Sequence, residues 1–212
     1  PPRSTLFPYT TLFRSGWQEG PDAARLPEVN RSVGAFPLMY GGRDAALIHR
    51  LPAGSYAVEV AAGTGPAGTG MLELYELDTM GRATSLSIRA YVRPGPGALV
   101  GGFVVQGQAH QRLLIRAVGP TLTQSGVAGA LENPVLTVYS GNRILASNDQ
   151  WEAGEASDVV RAAATRVGAV PLTEGSGDAA LLLSLAPGPY TVEVSCREAS
   201  EGVVRLEIFD VP

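Results

Sequence analysis

The run Asp178-Ala-Ala-Leu-Leu-Leu-Ser-Leu-Ala-Pro-Gly-Pro-Tyr-Thr-Val-Glu-Val194 repeats, without a gap, Asp44-Ala-Ala-Leu-Ile-His-Arg-Leu-Pro-Ala-Gly-Ser-Tyr-Ala-Val-Glu-Val60. Each copy holds an apolar run, a turn built on Pro and Gly, and an alternating run. Two strand-length runs flanking turn residues predict a β-hairpin. Alternation puts Val192 and Val194 on one face of the second strand and Glu193 on the other. This stretch sets both the fold and its register.

The match extends outward on both sides at the same offset. Trp17 aligns with Trp151, and everything from there to Asp78 aligns with the stretch ending at Pro212. Val33-Gly-Ala35 meets Val167-Gly-Ala169, Pro37-Leu38 meets Pro171-Leu172, and Leu72-Glu73 meets Leu206-Glu207. About a third of the aligned positions are identical, which marks an internal repeat. Residues 17–78 read as the C-terminal half of one repeat unit, and 79–212 as a complete one.

Residues 1–16 read as non-native and disordered. Thr5-Leu-Phe-Pro-Tyr-Thr-Thr-Leu-Phe-Arg-Ser15 resembles the conceptual translation of a common sequencing-adapter oligonucleotide, so the segment is set aside as a tag would be. On this reading the native N-terminus is lost, together with any signal peptide.

Within the complete unit the strand signals follow one another closely. Leu86–Val92 alternates apolar and polar residues, and Leu99–Val105 follows the turn Arg93-Pro-Gly-Pro-Gly97. Gly101-Gly102 suggests a bulge or a close approach. Arg112–Val118 comes next, then a loop with one helical turn between Thr121 and Leu131. Val135–Tyr139 and Arg143–Ser147 flank Ser140-Gly-Asn142 as a hairpin. Ser157-Asp158 offers an N-cap to a helix over Val159–Val167, with Gly168 just past its end. The repeated stretch follows, and Gly202–Phe209 closes the unit. About eight strands and one short helix predict an all-β antiparallel β-sandwich, because a parallel sheet needs a helix between most strands. The half unit supplies three strands, too few to bury a core alone.

Composition narrows the function. Hydrophobic residues make up 45% and charged ones 17%, a globular balance. The net charge is −4, all 16 basic residues are arginine, and no basic block offers a footprint for nucleic acid. Cys196 stands alone, so no intrachain disulfide forms and it reads as a small buried strand residue. No run reaches the ~18–20 apolar residues of a membrane span.

Ala98-Leu-Val-Gly-Gly-Phe-Val-Val105, Arg112-Leu-Leu-Ile-Arg-Ala-Val-Gly-Pro-Thr-Leu122, Ala146-Ser-Asn-Asp149 and Asp178–Val194 together resemble the recurring β-rich repeats of large secreted bacterial proteins. The order of an apolar strand, Ala-Ser-Asn-Asp and then Leu-x-Pro-Gly-x-Tyr-x-Val-x-Val is also similar to the pre-peptidase C-terminal β-sandwich. The helix and the Leu-Ile-Arg-Ala strand lie outside that second pattern. The resemblance implies a secreted or cell-surface module and brings no catalytic residues.

The candidate chemistry is sparse. Asn148 and Asp149, with Glu152, Glu155 and Asp158, form the densest group of oxygen ligands, so Asn148, Asp149 and Asp158 are the candidates for calcium. The spacing lacks the order of a dedicated calcium loop, and a solvated acidic loop capping the helix is the competing reading. Glu59, Glu73, Glu193 and Glu207 recur as pairs, but alternation assigns them to a solvated sheet face rather than to glycoside hydrolysis. His49 and His110 sit in unrelated places, and no Gly-x-Ser-x-Gly elbow accompanies them. Trp151 could stack on a sugar or pack over the sandwich end. Arg116, inside a strand, is expected to pair with a carboxylate.

The sequence therefore predicts a non-enzymatic β-sandwich repeat module with a structural, adhesive or anchoring role. Its partners would be neighbouring repeats of the same chain and a cell-surface polysaccharide or protein, without nucleic acid or a membrane span. The alternative is a carbohydrate- or calcium-binding accessory domain of a secreted hydrolase.

Overall fold

The computed structural model describes residues 16–60, 68–78, 81–153, 157–197 and 200–212. The chain divides into two compact units at Arg82/Ala83. The tag-like residues 1–15 lie outside the described residues.

The second unit is the antiparallel β-sandwich. Its strands are β1 (Ser85–Val92), β2 (Leu99–Val105), β3 (Gln111–Val118), β4 (Pro134–Ser140), β5 (Arg143–Asn148), β6 (Ala179–Leu185), β7 (Gly188–Cys196) and β8 (Gly202–Asp210). They form two four-stranded sheets, ordered β1-β8-β3-β6 and β2-β7-β4-β5. Alternation sends Val192 and Val194 of β7 and Leu206 and Ile208 of β8 into the space between the sheets, beside Ile115, Ala117, Leu136 and Val138. Glycines Gly101 and Gly102 make no bulge, since β2 pairs with β7 in continuous register. The approach they permit is by a side chain: a Cβ on Gly101 would lie 3.0 Å from Leu206 Cδ2.

The repeated stretch is not a hairpin. Strand β6 pairs only with β3 in one sheet, whereas β7 pairs with β2 and β4 in the other. Ala186-Pro187 is thus a corner at which the chain changes sheets. A Pro/Gly turn suits a corner as well as a hairpin, and the ladder groups of β6 and β7 find their partners elsewhere. Tyr190 fastens this corner by donating from its hydroxyl to the Ala186 carbonyl at 2.7 Å. The hairpin expected over residues 135–147 does form, as β4 and β5, with an irregularity in register at Val138/Tyr139.

The outer face of the β1-β8-β3-β6 sheet is covered as well. Helix α2 (Ser157–Arg166) lays Val160, Ala163 and Ala164 over Leu114 and Val118 of β3 and Ala180 of β6. Strand β3 is consequently apolar on both faces, which explains its near-continuous Leu-Leu-Ile-x-Ala-Val run. The helix ends at Gly168 in a left-handed conformation (φ 68°), where glycine carries no Cβ penalty. The residue ahead of Ser157 lies outside the described residues. Gly119, between β3 and a short 3-10 turn over Pro120–Ser125, is a steric requirement: a Cβ there would stand 2.1 Å from the Leu131 carbonyl oxygen. Gly119→Ala is expected to cost about 2 kcal/mol or more, read as a lower urea midpoint at unchanged m-value.

The first unit keeps the local structure of the repeat without its sheets. Helix α1 (Leu26–Val33) tolerates Pro27 because it lies in the first turn, where no N–H partner is lost, and ends at Gly34 (φ 72°). The Trp17 amide donates to the Asp44 carbonyl at 2.9 Å, as the Trp151 amide does to the Asp178 carbonyl at 2.8 Å. The Gly41 amide meets Gln18 Oε1 at 2.7 Å, as the Gly175 amide meets Glu152 Oε2 at 2.6 Å. Tyr56 donates to the Pro52 carbonyl at 2.7 Å, copying Tyr190. None of the described residues 35–60 and 68–78 lies in a strand, however, so the three expected strands are not formed there. The reason is topological. Strands β6, β7 and β8 pair with β1 to β4 and never with one another, and a half unit carries no equivalents of β1 to β4.

Candidate functional site

Three polar constellations stand out in the second unit, and each begins with a residue that the fold forces into the interior. Arg116 is central in β3, directly opposite Glu207 of β8 on the face covered by α2. It is fully buried. Its Nε donates to Glu207 Oε2 at 2.9 Å, Nη2 donates to the same oxygen, and Nη1 donates to the Val170 carbonyl at 2.7 Å. Arg205 Nε lies 3.0 Å from Glu207 Oε1, and the Phe209 ring lies under the guanidinium at 5.5 Å. Arg116 thus has the carboxylate partner expected of it. Glu207, assigned from alternation to a solvated face, is instead buried, because α2 and the segment after it close over that face. Glu193 remains half-exposed on β7. Both β7 and β8 are internal strands, so these carboxylates do not guard sheet edges.

Asp178 opens the repeated stretch, and its side chain is the second constellation. It is fully buried. Oδ1 accepts the Gly119 amide at 2.7 Å, and Oδ2 accepts the Ser176 hydroxyl at 2.6 Å and the Thr121 hydroxyl. The Thr121 amide lies 3.3 Å from Oδ2. Thr121 in turn receives the Thr173 amide at 2.8 Å. One carboxylate therefore ties the end of β3, the loop before β6 and the start of β6 together. Nothing in the residue types announced this role; the signal was the position of an acid at the head of an apolar run, kept as Asp44 in the first copy.

Trp151 makes the third. Its ring is buried, and Nε1 lies 3.2 Å from both the Thr173 carbonyl and the Ser176 hydroxyl. Arg161 of α2 stacks over the ring at 4.4 Å and is held by Glu152 and Glu174. The ring packs against scaffold rather than facing solvent, as a sugar platform would require.

The calcium candidates are also engaged. Asn148 Oδ1 accepts the Ala180 amide at 3.0 Å, and its Nδ2 donates to the Gln150 carbonyl at 2.9 Å. Asp149 pairs with Arg197, and Asp158 is exposed in the first turn of α2. Glu155 lies outside the described residues. Among the described residues no three His, Cys, Asp or Glu side chains gather as a metal cage would need. Two guanidinium groups among the carboxylates work against a divalent cation.

His49 and His110 are exposed, each in a different unit. Cys196 is a free thiol at the end of β7, half-buried against the inner core. Tyr75 and Tyr91 have hydroxyl pKa values above the ordinary tyrosine value, through desolvation first and then through Glu73 and Glu201; Arg93 opposes the rise at Tyr91. An open depression lies among Pro120, Thr123, Gly129, Ala130, Glu132 and Gly177, beside the segments that carry the Asp178 constellation. No described helix is long and apolar enough to cross a membrane.

Fold and interior together define an all-β module: a two-sheet antiparallel sandwich closed on one face by a helix, with Arg116, Asp178 and Trp151 engaged inside it. No family model and no curated protein sequence matches the chain. Among solved structures, the pre-peptidase C-terminal domain of a collagenase from Bacillus anthracis is similar, weakly, at a TM-score of 0.36 and 11% identity. The match covers 58% of this chain and 88% of that one. A superposition at that level transfers no function.

Proposed function

We propose that the chain is a non-catalytic β-sandwich repeat module of a secreted or cell-surface bacterial protein, with a structural, adhesive or anchoring role. The observation that supports this best is the engagement of its conspicuous polar residues with one another. Arg116 and Glu207 neutralise each other, Asp178 collects donors from the segment after β3 and from Ser176, and Trp151 is buried under Arg161. Such groups fix a scaffold; catalysis needs convergent polar groups left available to a substrate.

The test is thermal unfolding of the full chain with calcium and with chelator, alongside pull-down on insoluble polysaccharides. A site held at a hundred times its Kd would stabilise the fold by about 2.7 kcal/mol, several degrees in Tm. The expected result is a Tm that calcium leaves within about 1 °C, well inside that shift. A rise of several degrees, or retention on a polysaccharide that free sugar competes away, would favour a ligand-binding accessory domain instead.

A further inference from the structure

We propose that β2 is a pairing edge for a second copy of this chain: two β2 strands meet antiparallel about a two-fold axis at Gly102 and join two β2-β7-β4-β5 sheets edge to edge. The inference lies within the sandwich unit and does not rest on the role proposed above. An edge strand presents backbone groups without ladder partners, and a fold that stays single guards them with charge, irregularity or cover. The other three edges of the sandwich are guarded. Strand β1 carries exposed Arg89 near its middle. Strand β5 carries exposed Arg143 and the irregular register at Val138/Tyr139. On β6 the Asn148 side chain takes the Ala180 amide. Strand β2 has none of these: it pairs with β7 alone, in continuous register, and no charged residue lies from Pro94 to Ala109.

The residue order of β2 selects the occupant. A two-fold axis that keeps both buried faces on one side pairs residues that share a face, and only a centre at Gly102 pairs the whole strand. Val100 then meets Val104 of the second copy, Leu99 meets Val105, and Gly101 meets Phe103. Val100 and Val104 are 59% and 64% exposed, and the axis covers both pairs at once. Phe103 opposite Gly101 lays a ring over backbone that a glycine leaves bare. Gly102 has no reason within its own unit to be glycine: its φ is not positive, and a Cβ there would meet nothing nearer than the Tyr190 carbonyl oxygen at 3.8 Å. Glycine weakens a strand and often marks a place where another backbone comes close. At the axis Gly102 faces Gly102 of the second copy. Although each chain carries a net charge of −4, the paired strands bring no charged side chain to the contact.

The experiment follows the full chain by sedimentation equilibrium over about 1–200 µM, which captures dissociation constants of micromolar order. The mass should climb with concentration towards twice 22.1 kDa. The double substitution V100K/V104K sets lysines opposite one another at both valine pairs and should raise the dimer Kd at least about tenfold. Mixing that variant with V100E/V104E should restore a mixed dimer. A parent that stays at 22.1 kDa throughout, or an association that V100K/V104K leaves unchanged, overturns the proposal. A second measurement reads the register without placing charge on the strand. V100C and V104C, each in a C196S background, should form an intermolecular disulfide when the two variants are mixed and oxidised, and neither should do so alone. Cross-linking of like variants equal to that of the mixture, or none in the mixture, overturns the pairing about Gly102.

Discussion

Glu207→Ala is expected to remove about 3–5 kcal/mol from the stability of the second unit, a fall in Tm of roughly 10–20 °C for a domain of this size. The substitution deletes the carboxylate that receives two nitrogens of Arg116, and the guanidinium stays behind with no solvent to turn to. Its remaining partner, the Val170 carbonyl, satisfies one N–H and no charge. Arg205 is less affected because its side chain is 29% exposed and can turn outward. The cost comes from stranding a charge, so removing both ends should recover most of it. Arg116→Met with Glu207→Leu is expected to lie within about 1–2 kcal/mol of the parent. Urea denaturation of the parent, the two single variants and the double variant gives the coupling energy directly. A Glu207→Ala loss below about 1 kcal/mol would show that the pair is as weak as a surface ion pair, and the interior as described would be wrong.

Asp178→Ala should be nearly as damaging, by about 3–4 kcal/mol, for a different reason. The carboxylate is the acceptor for the Gly119 and Thr121 amides and for the hydroxyls of Thr121 and Ser176. Hydroxyls can rotate toward other acceptors, but the two amides are fixed by a backbone that Gly119 holds against Leu131. Asp178→Asn keeps one carbonyl oxygen and should fall between, at about 2 kcal/mol. The repeat supplies its own control. Asp44 occupies the same place in the first copy but is exposed, because its half unit has no counterpart of Gly119 and Thr121. Asp44→Ala is therefore expected to change stability by no more than about 0.5 kcal/mol. Equal effects at the two positions would mean that the carboxylate acts within its own stretch and not by tying segments together.

The strands of the complete unit were legible because each is bounded by turn residues and carries its own period. Leu86–Val92 and Val135–Tyr139, for example, lie wholly within β1 and β4. The pairing was not. Pro187-Gly188 is an equally good signal for a hairpin and for a corner, and the choice depends on β2, β3 and β4, more than forty residues upstream in sequence. Glu207 was misplaced for a related reason: alternation tells which face a side chain is on, and α2 decides whether that face meets water. Asp178 was passed over because four of its donors are remote or ordinary, and only folding brings them to one carboxylate.

The sequence by itself determined the repeat, its register, the strand positions, the helix ends at Gly34 and Gly168, and the paired Trp and Tyr contacts. The helix ends and the Trp and Tyr contacts are made within one half of the repeat, so they form in the half unit as they do in the whole one. Only the tertiary structure decided that the twice-used stretch turns a corner between two sheets, that Arg116 and Glu207 share a dry interface, and that the half unit forms no strands among its described residues. A strand is made by its neighbours' hydrogen bonds as much as by its own alternation, and those neighbours lie in the other half of the repeat.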